Sequence, residues 1–149
     1  MTNKLLEEEL SYKVRGCFYG VANKYGKGLK ESIYQKALEE EFEKVGVDFQ
    51  GQKRIDIFSV ETGKKLGTYV PDFVVGDKII VEIKATDFTR IGDMNQQRSY
   101  LKASKYEISY LVNFGTKELE IKRSICTNDR KSFITKLEIN SQSVIREYP

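Results

Sequence analysis

Three residues able to do chemistry, Asp72, Glu82 and Lys84, lie in one apolar stretch, YVPDFVVGDKIIVEIKA over residues 69–85. Side chains alternate along a strand, so Ile79, Val81, Ile83 and Ala85 share one face while Ile80, Glu82 and Lys84 share the other. Charges in such apolar company are costly unless they are paired or bound to an ion. Gly76-Asp77 is a hairpin signal. If the loop is three residues long, from Gly76 to Lys78, Val75 pairs with Ile79 and Asp72 falls opposite Glu82; a two-residue loop sends Asp72 to the wrong face. Facing carboxylates repel, and a divalent cation relieves that repulsion while using them as ligands. Such a cation lowers the pKa of a bound water and stabilises charge on a phosphoryl oxygen. A lysine alongside can orient the water or neutralise the developing charge. A structural reading stands beside this one: a Glu82–Lys84 ion pair, with Asp72 merely ending a strand.

What the chain lacks narrows the chemistry further. Among 149 residues there is no His, and there are only two Cys, Cys17 and Cys126. A Ser-His-Asp triad, a Cys-His dyad, a His-ligated metal and a Cys₄ zinc site are therefore excluded. Carboxylates and amides suit hard cations, so Mg²⁺ or Mn²⁺ is the expected cofactor. The net charge of +3 is too small to announce a nucleic-acid binder, although the basic excess falls after residue 50. Arg90, Arg98, Lys102 and Lys105 are able to contact phosphates but read first as solvated surface. No apolar run has the length of a membrane span, and the N-terminus is acidic where a signal peptide is basic. A cytoplasmic protein with reduced cysteines and no membrane contact is expected.

The elements that must position these residues follow from hydrophobic period. Leu6, Leu10, Val14, Cys17, Phe18, Val21 and Tyr25 mark one face of a helix, ended by Gly26-Lys27-Gly28. A second helix runs from about Leu29 to Val45 and stops at Gly46. The period then becomes two: a strand around Ile55 and Ile57, with Phe49, and two strands at Leu66–Val75 and Lys78–Ala85. A helix is expected over residues 92–104, with Met94, Gln97, Tyr100 and Leu101 inward. Strands Ile108–Phe114 and Glu118–Ile125 close an α/β domain whose sheet reads as an antiparallel meander. Two prolines and no linker leave nothing to divide the chain, so one domain over residues 1–149 is expected.

Glu31 opens the second helix, where a carboxylate suits the dipole, and Tyr34 follows on the same side. With these residues the ordered set GLKESIY, YVPDFVV, IIVEIKA, QQRSYLKAS and YLVNFG resembles the GxxExxY family of the PD-(D/E)XK nuclease-like superfamily. The resemblance covers most of the chain, to about Ile125, leaving residues 126–149 as an extension of a core over about residues 5–125. It implies a restriction-endonuclease-like α/β fold: a central, mostly antiparallel mixed sheet flanked by helices, with an αβββαβ core and an extra N-terminal helix. It further implies that Asp72, Glu82 and Glu31 ligate metal, that Ile83 offers its backbone carbonyl, and that Lys84 is the catalytic lysine. Gln96 matches a glutamine that often sits beside such sites. Asp93 stands where relatives often carry a His shortly before that glutamine.

The function so implied is divalent-metal-dependent hydrolysis of nucleic-acid phosphodiesters, on DNA more than RNA. The alternative is a catalytically silent module of the same fold that binds nucleic acid or a protein partner, since fold does not fix activity. A homodimer or a partner protein is a further expectation, because no separate recognition domain is visible.

Overall fold

Four of the six residues of the strand IIVEIK are apolar, and in the computed structural model it takes the centre of the main sheet. The structure describes residues 6–137; residues 1–5 and 138–149, the latter being half of the expected C-terminal extension, lie outside them. Two helices come first, α1 (Glu8–Tyr25) and α2 (Glu31–Val45). Strands β1 (Phe49–Gly51), β2 (Ile55–Phe58), β3 (Lys65–Tyr69), β4 (Phe73–Val75) and β5 (Ile79–Lys84) follow. Helix α3 (Ile91–Lys102) then leads to β6 (Ile108–Asn113) and β7 (Glu120–Ile125). The main sheet has the order β1-β4-β5-β6-β7, and β2 and β3 form a separate two-stranded sheet.

The alternation along β5 divides the core. Ile79, Val81 and Ile83 pack with Val14, Phe18, Leu38 and Phe42 of α1 and α2. On the opposite face Ile80 joins Val74, Ile55 and Leu101, so that layer is built by α3 and the small sheet. Glu82 and Lys84 alternate with Ile83, which places them on the α3 face. The fold is the expected one: a mixed, mostly antiparallel sheet between helices. No helix among the described residues is long and apolar enough to cross a membrane.

Three expectations need correction. The sheet is not a continuous meander, because β5 and β6 run parallel while the other neighbours are antiparallel. The long connection through α3 is what parallel pairing requires. The strand expected over Leu66–Val75 is divided between two sheets, with Val70-Pro71-Asp72 as the break. Proline has no N–H to give to a ladder, so the chain changes partners there. The strand around Ile55 with Phe49 is likewise two strands, β1 and β2, in different sheets.

Gly115 fixes the end of the sheet. A Cβ there would lie 2.5 Å from the backbone of Ala85 and Thr86, immediately after Lys84. Backbone cannot give way as a flexible side chain can, so Gly115→Ala is expected to destabilise the protein by about 2 kcal/mol or more, read by urea unfolding. A neutral result would mean that the segment after Lys84 is not held against β6.

Candidate active site

The site grows from the β4–β5 turn. Gly76 and Asp77 have φ of 59° and 54°, both positive as in a type I′ turn, and the Lys78 N–H donates to the Val75 carbonyl at 3.0 Å. Lys78 is the extra residue that makes the loop three long. Val75 accordingly pairs with Ile79, Val74 with Ile80 and Phe73 with Val81. One step further along this register, Asp72 stands opposite Glu82. There the ladder continues through side chains: the Asp72 N–H donates to Glu82 Oε1 at 3.1 Å, and the Ile83 N–H donates to Asp72 Oδ2 at 2.7 Å. A strand residue's N–H and C=O point to the same edge, so the Ile83 carbonyl faces the Asp72 side, beyond the end of β4.

Burial dominates the electrostatics of this pair. It pushes Glu82 up to about 7 against the opposing pull of the Tyr69 hydroxyl, with the Asp72 charge adding to the rise. Burial also raises Asp72, the Ile83 N–H offsets part of this, and the charge of Glu31 raises it further. Lys84 lowers both carboxylates. Its own ion-pair partner is Asp93, with Nζ 3.9 Å from Oδ1. No Glu82–Lys84 ion pair forms, contrary to the structural reading of these two residues.

The other expected site residues are placed less closely. Glu31 is exposed at the first turn of α2, although its charge is felt at Asp72. Gln96 is exposed on α3, one turn beyond Asp93, while its neighbour Gln97 turns inward and donates to the Lys122 carbonyl at 3.0 Å. Tyr34 is core: fully buried, stacked on Phe114 at 4.6 Å, donating to the Gly26 carbonyl at 2.6 Å and accepting from the Leu29 N–H at 3.3 Å. It thereby holds the loop containing Gly28, whose φ of 108° favours glycine, at the start of the helix that presents Glu31. Tyr34→Phe is expected to cost about 1–2 kcal/mol in urea unfolding while leaving the Asp72–Glu82 pair intact. A larger loss of cation binding than of stability would give Tyr34 a direct part in the site.

Sequence reasoning passed over Tyr69 and Asn113 and left the role of Asp93 open. Tyr69 leans in from β3, its ring stacked on Tyr100 of α3 at 4.0 Å and 11°. Burial and the neighbouring Glu82 raise its hydroxyl far above the ordinary range. The position of Tyr69 three residues before Asp72 was the only available signal. Asn113 is fully buried and holds the segment between Lys84 and α3. Its role depends on a contact distant in sequence.

The donor set fits a divalent cation in kind. Two half-buried, mutually repelling carboxylates and a carbonyl are hard oxygen donors. Among the described residues, however, no group of three or more His, Cys, Asp or Glu is gathered tightly enough to hold a metal ion. A cavity of about 420 Å³ lies at the opposite end of the sheet, lined by Asp77, Lys78 and Ile108, and contains none of the site residues.

Residues 8–124 match a family model described as the PD-(D/E)XK nuclease superfamily. No curated protein matches. Among solved structures the chain is similar to an alkaline exonuclease (LHK-Exo) from Laribacter hongkongensis, with 12% identity and a TM-score of 0.46, covering 98% of this chain and 87% of that one. It is also similar to LHK-Exo in complex with dAMP, with 13% identity and a TM-score of 0.42, covering 97% and 87%.

Proposed function

The chain belongs to the PD-(D/E)XK nuclease superfamily, and on that premise we propose that it is a divalent-metal-dependent nuclease of the GxxExxY type, acting on DNA in the cytoplasm. The observation that carries the reading is the cross-tied Asp72–Glu82 pair, with Lys84 two residues along the same face and clear of an ion pair with Glu82. Asp72, Glu82 and the Ile83 carbonyl would hold Mg²⁺ or Mn²⁺, with Glu31 completing the set from α2. The cation supplies an activated water and Lewis-acid stabilisation of the phosphate.

The chain's own groups do the rest. Burial of Asp72 and Glu82 keeps their repulsion strong, which favours occupancy by a cation over two bare charges. Lys84, steered by Asp93, donates hydrogen bonds toward the charge that develops on the phosphoryl oxygen. Gln96 supports the substrate from the exposed side of α3.

A second reading is the catalytically silent module binding nucleic acid or a protein partner, and the looseness of the three-carboxylate cluster favours it. The two are separated by incubating the protein with plasmid, single-stranded DNA and RNA in Mg²⁺, Mn²⁺ and EDTA. Cleavage of DNA that EDTA abolishes is the expected result. Binding without cleavage in either cation selects the silent module.

A further inference from the structure

The segment that leaves β5 turns the hydroxyls of Thr86 and Thr89 inward and leaves Asp87, Phe88, Arg90 and Ile91 exposed. Asn113 Oδ1 accepts from the Thr86 backbone N–H at 3.1 Å, and its Nδ2 donates to the hydroxyls of Thr86 and Thr89, each at 3.1 Å. The Thr86 hydroxyl donates onward to the Phe88 carbonyl at 2.8 Å, and that of Thr89 donates to Glu120. The backbone on both sides of Phe88 is therefore pinned. Phe88 and Ile91 are nonetheless 65% and 71% exposed, with exposed Arg90 between them. One exposed apolar residue is ordinary. Here two flank an arginine on a tethered backbone, next to the residues that position Lys84.

The position identifies the partner. Phe88 lies four residues beyond Lys84, and Ile91 lies two residues before Asp93, the residue that meets Lys84. Whatever strand reaches Lys84 passes beside this loop. We propose that Phe88 and Ile91 contact the bases of an unpaired nucleic-acid strand while Arg90 meets its phosphates, so that the substrate is single-stranded or locally opened. This rests on the nuclease reading given above. An intact duplex keeps its base faces stacked on one another, whereas an unpaired strand presents them to an aromatic ring whatever its sequence. An apolar side chain such as Ile91 can also lodge between bases and hold them apart.

The test uses the full chain in EDTA, so that binding is read without cleavage. A short single-stranded oligodeoxynucleotide carrying 2-aminopurine is compared with a blunt duplex of the same length. Phe88→Ala is expected to weaken single-strand binding by about 5- to 150-fold, the scale of one lost base–aromatic stack, and to abolish the 2-aminopurine quenching. Phe88→Tyr should restore both, and duplex binding should change little. Being exposed, Phe88 can be replaced without loss of the fold, and thermal unfolding checks this. Equal losses on single strand and duplex, no loss on either, or no single-strand binding by wild type would overturn the inference. So would an oligomer of the wild-type chain that Phe88→Ala dissociates, which would assign the patch to a second copy. Phe88-dependent binding in a protein that never cleaves would uphold this inference and defeat the catalytic reading. Cleavage of single strands indifferent to Phe88→Ala would do the reverse.

Discussion

Lys84→Ala is expected to lower phosphodiester cleavage by about 10²-fold or more while changing stability by less than about 1 kcal/mol. The two halves of this result have different sources. The loss of rate follows from removing the one ammonium placed on the carboxylate face of β5, where charge develops on the phosphate. The small effect on stability follows from its surroundings. Lys84 and Asp93 side chains are 28% and 25% exposed, and their 3.9 Å contact is long, so the pair is a partly solvated one of modest worth. A buried Glu82–Lys84 pair would behave differently, since truncating one member strands the other and costs about 3–5 kcal/mol. Urea unfolding beside the cleavage assay distinguishes them. Calorimetry should show cation binding retained or tightened, because a competing positive charge has gone. A severe loss of stability with no cation binding in wild type would defeat the nuclease reading.

The carboxylate pair was legible because strand geometry is arithmetic. Alternation assigned Glu82 and Lys84 to one face, and the only open quantity was the loop length between Val75 and Ile79. Gly76-Asp77 in a type I′ turn plus Lys78 gives three residues, and Asp72 falls opposite Glu82. The division of Leu66–Val75 was not legible in the same way. Its hydrophobic pattern runs on without a break, and which strand each half pairs with depends on contacts that sequence does not display. Pro71 was the available clue, since a proline within a strand pattern demotes it. The parallel pairing of β5 and β6 was also within reach, because a helix between two strands is the usual crossover.

Glu31 and Asp93 show where local reasoning stops. A helix period places Glu31 in a first turn, but its exposure depends on how α2 lies across the end of the sheet. Asp93 meets Lys84 only because the intervening segment is tied to Asn113, which is 27 residues away from Thr86. Neither the buried asparagine nor the tie leaves a periodic mark. Lys84 was therefore read against Glu82, its neighbour in sequence, when its partner comes from a different element.

In EDTA the protein is expected to lose stability as pH rises from about 5 to about 8, and Glu82→Gln should remove most of that slope. Glu82 is held at about 7 in the fold against 4.5 ordinarily. Below 4.5 the folded and unfolded chains both carry the proton, and the stability linked to this site is fully present. Between 4.5 and 7 the unfolded chain has released it while the fold retains it, so stability falls as pH rises. Above 7 the fold bears the whole cost of the buried charge, about 3 kcal/mol at this site. Asp72 is raised by burial as well and adds in the same direction. Glu82→Gln still accepts from the Asp72 N–H, so it removes the charge and keeps the bond; at pH 8 it should be more stable than wild type. Asp72→Asn should also gain stability in EDTA and should bind Mn²⁺ more weakly. The cation has the opposite dependence on pH, since a proton on Glu82 competes with it. Mn²⁺ should thus raise the unfolding temperature of wild type more at pH 8 than at pH 6, and should have little effect on Glu82→Gln. A slope that Glu82→Gln leaves unchanged would place the strained charge elsewhere. A Mn²⁺ shift that Glu82→Gln retains in full would remove Glu82 from the ligand set.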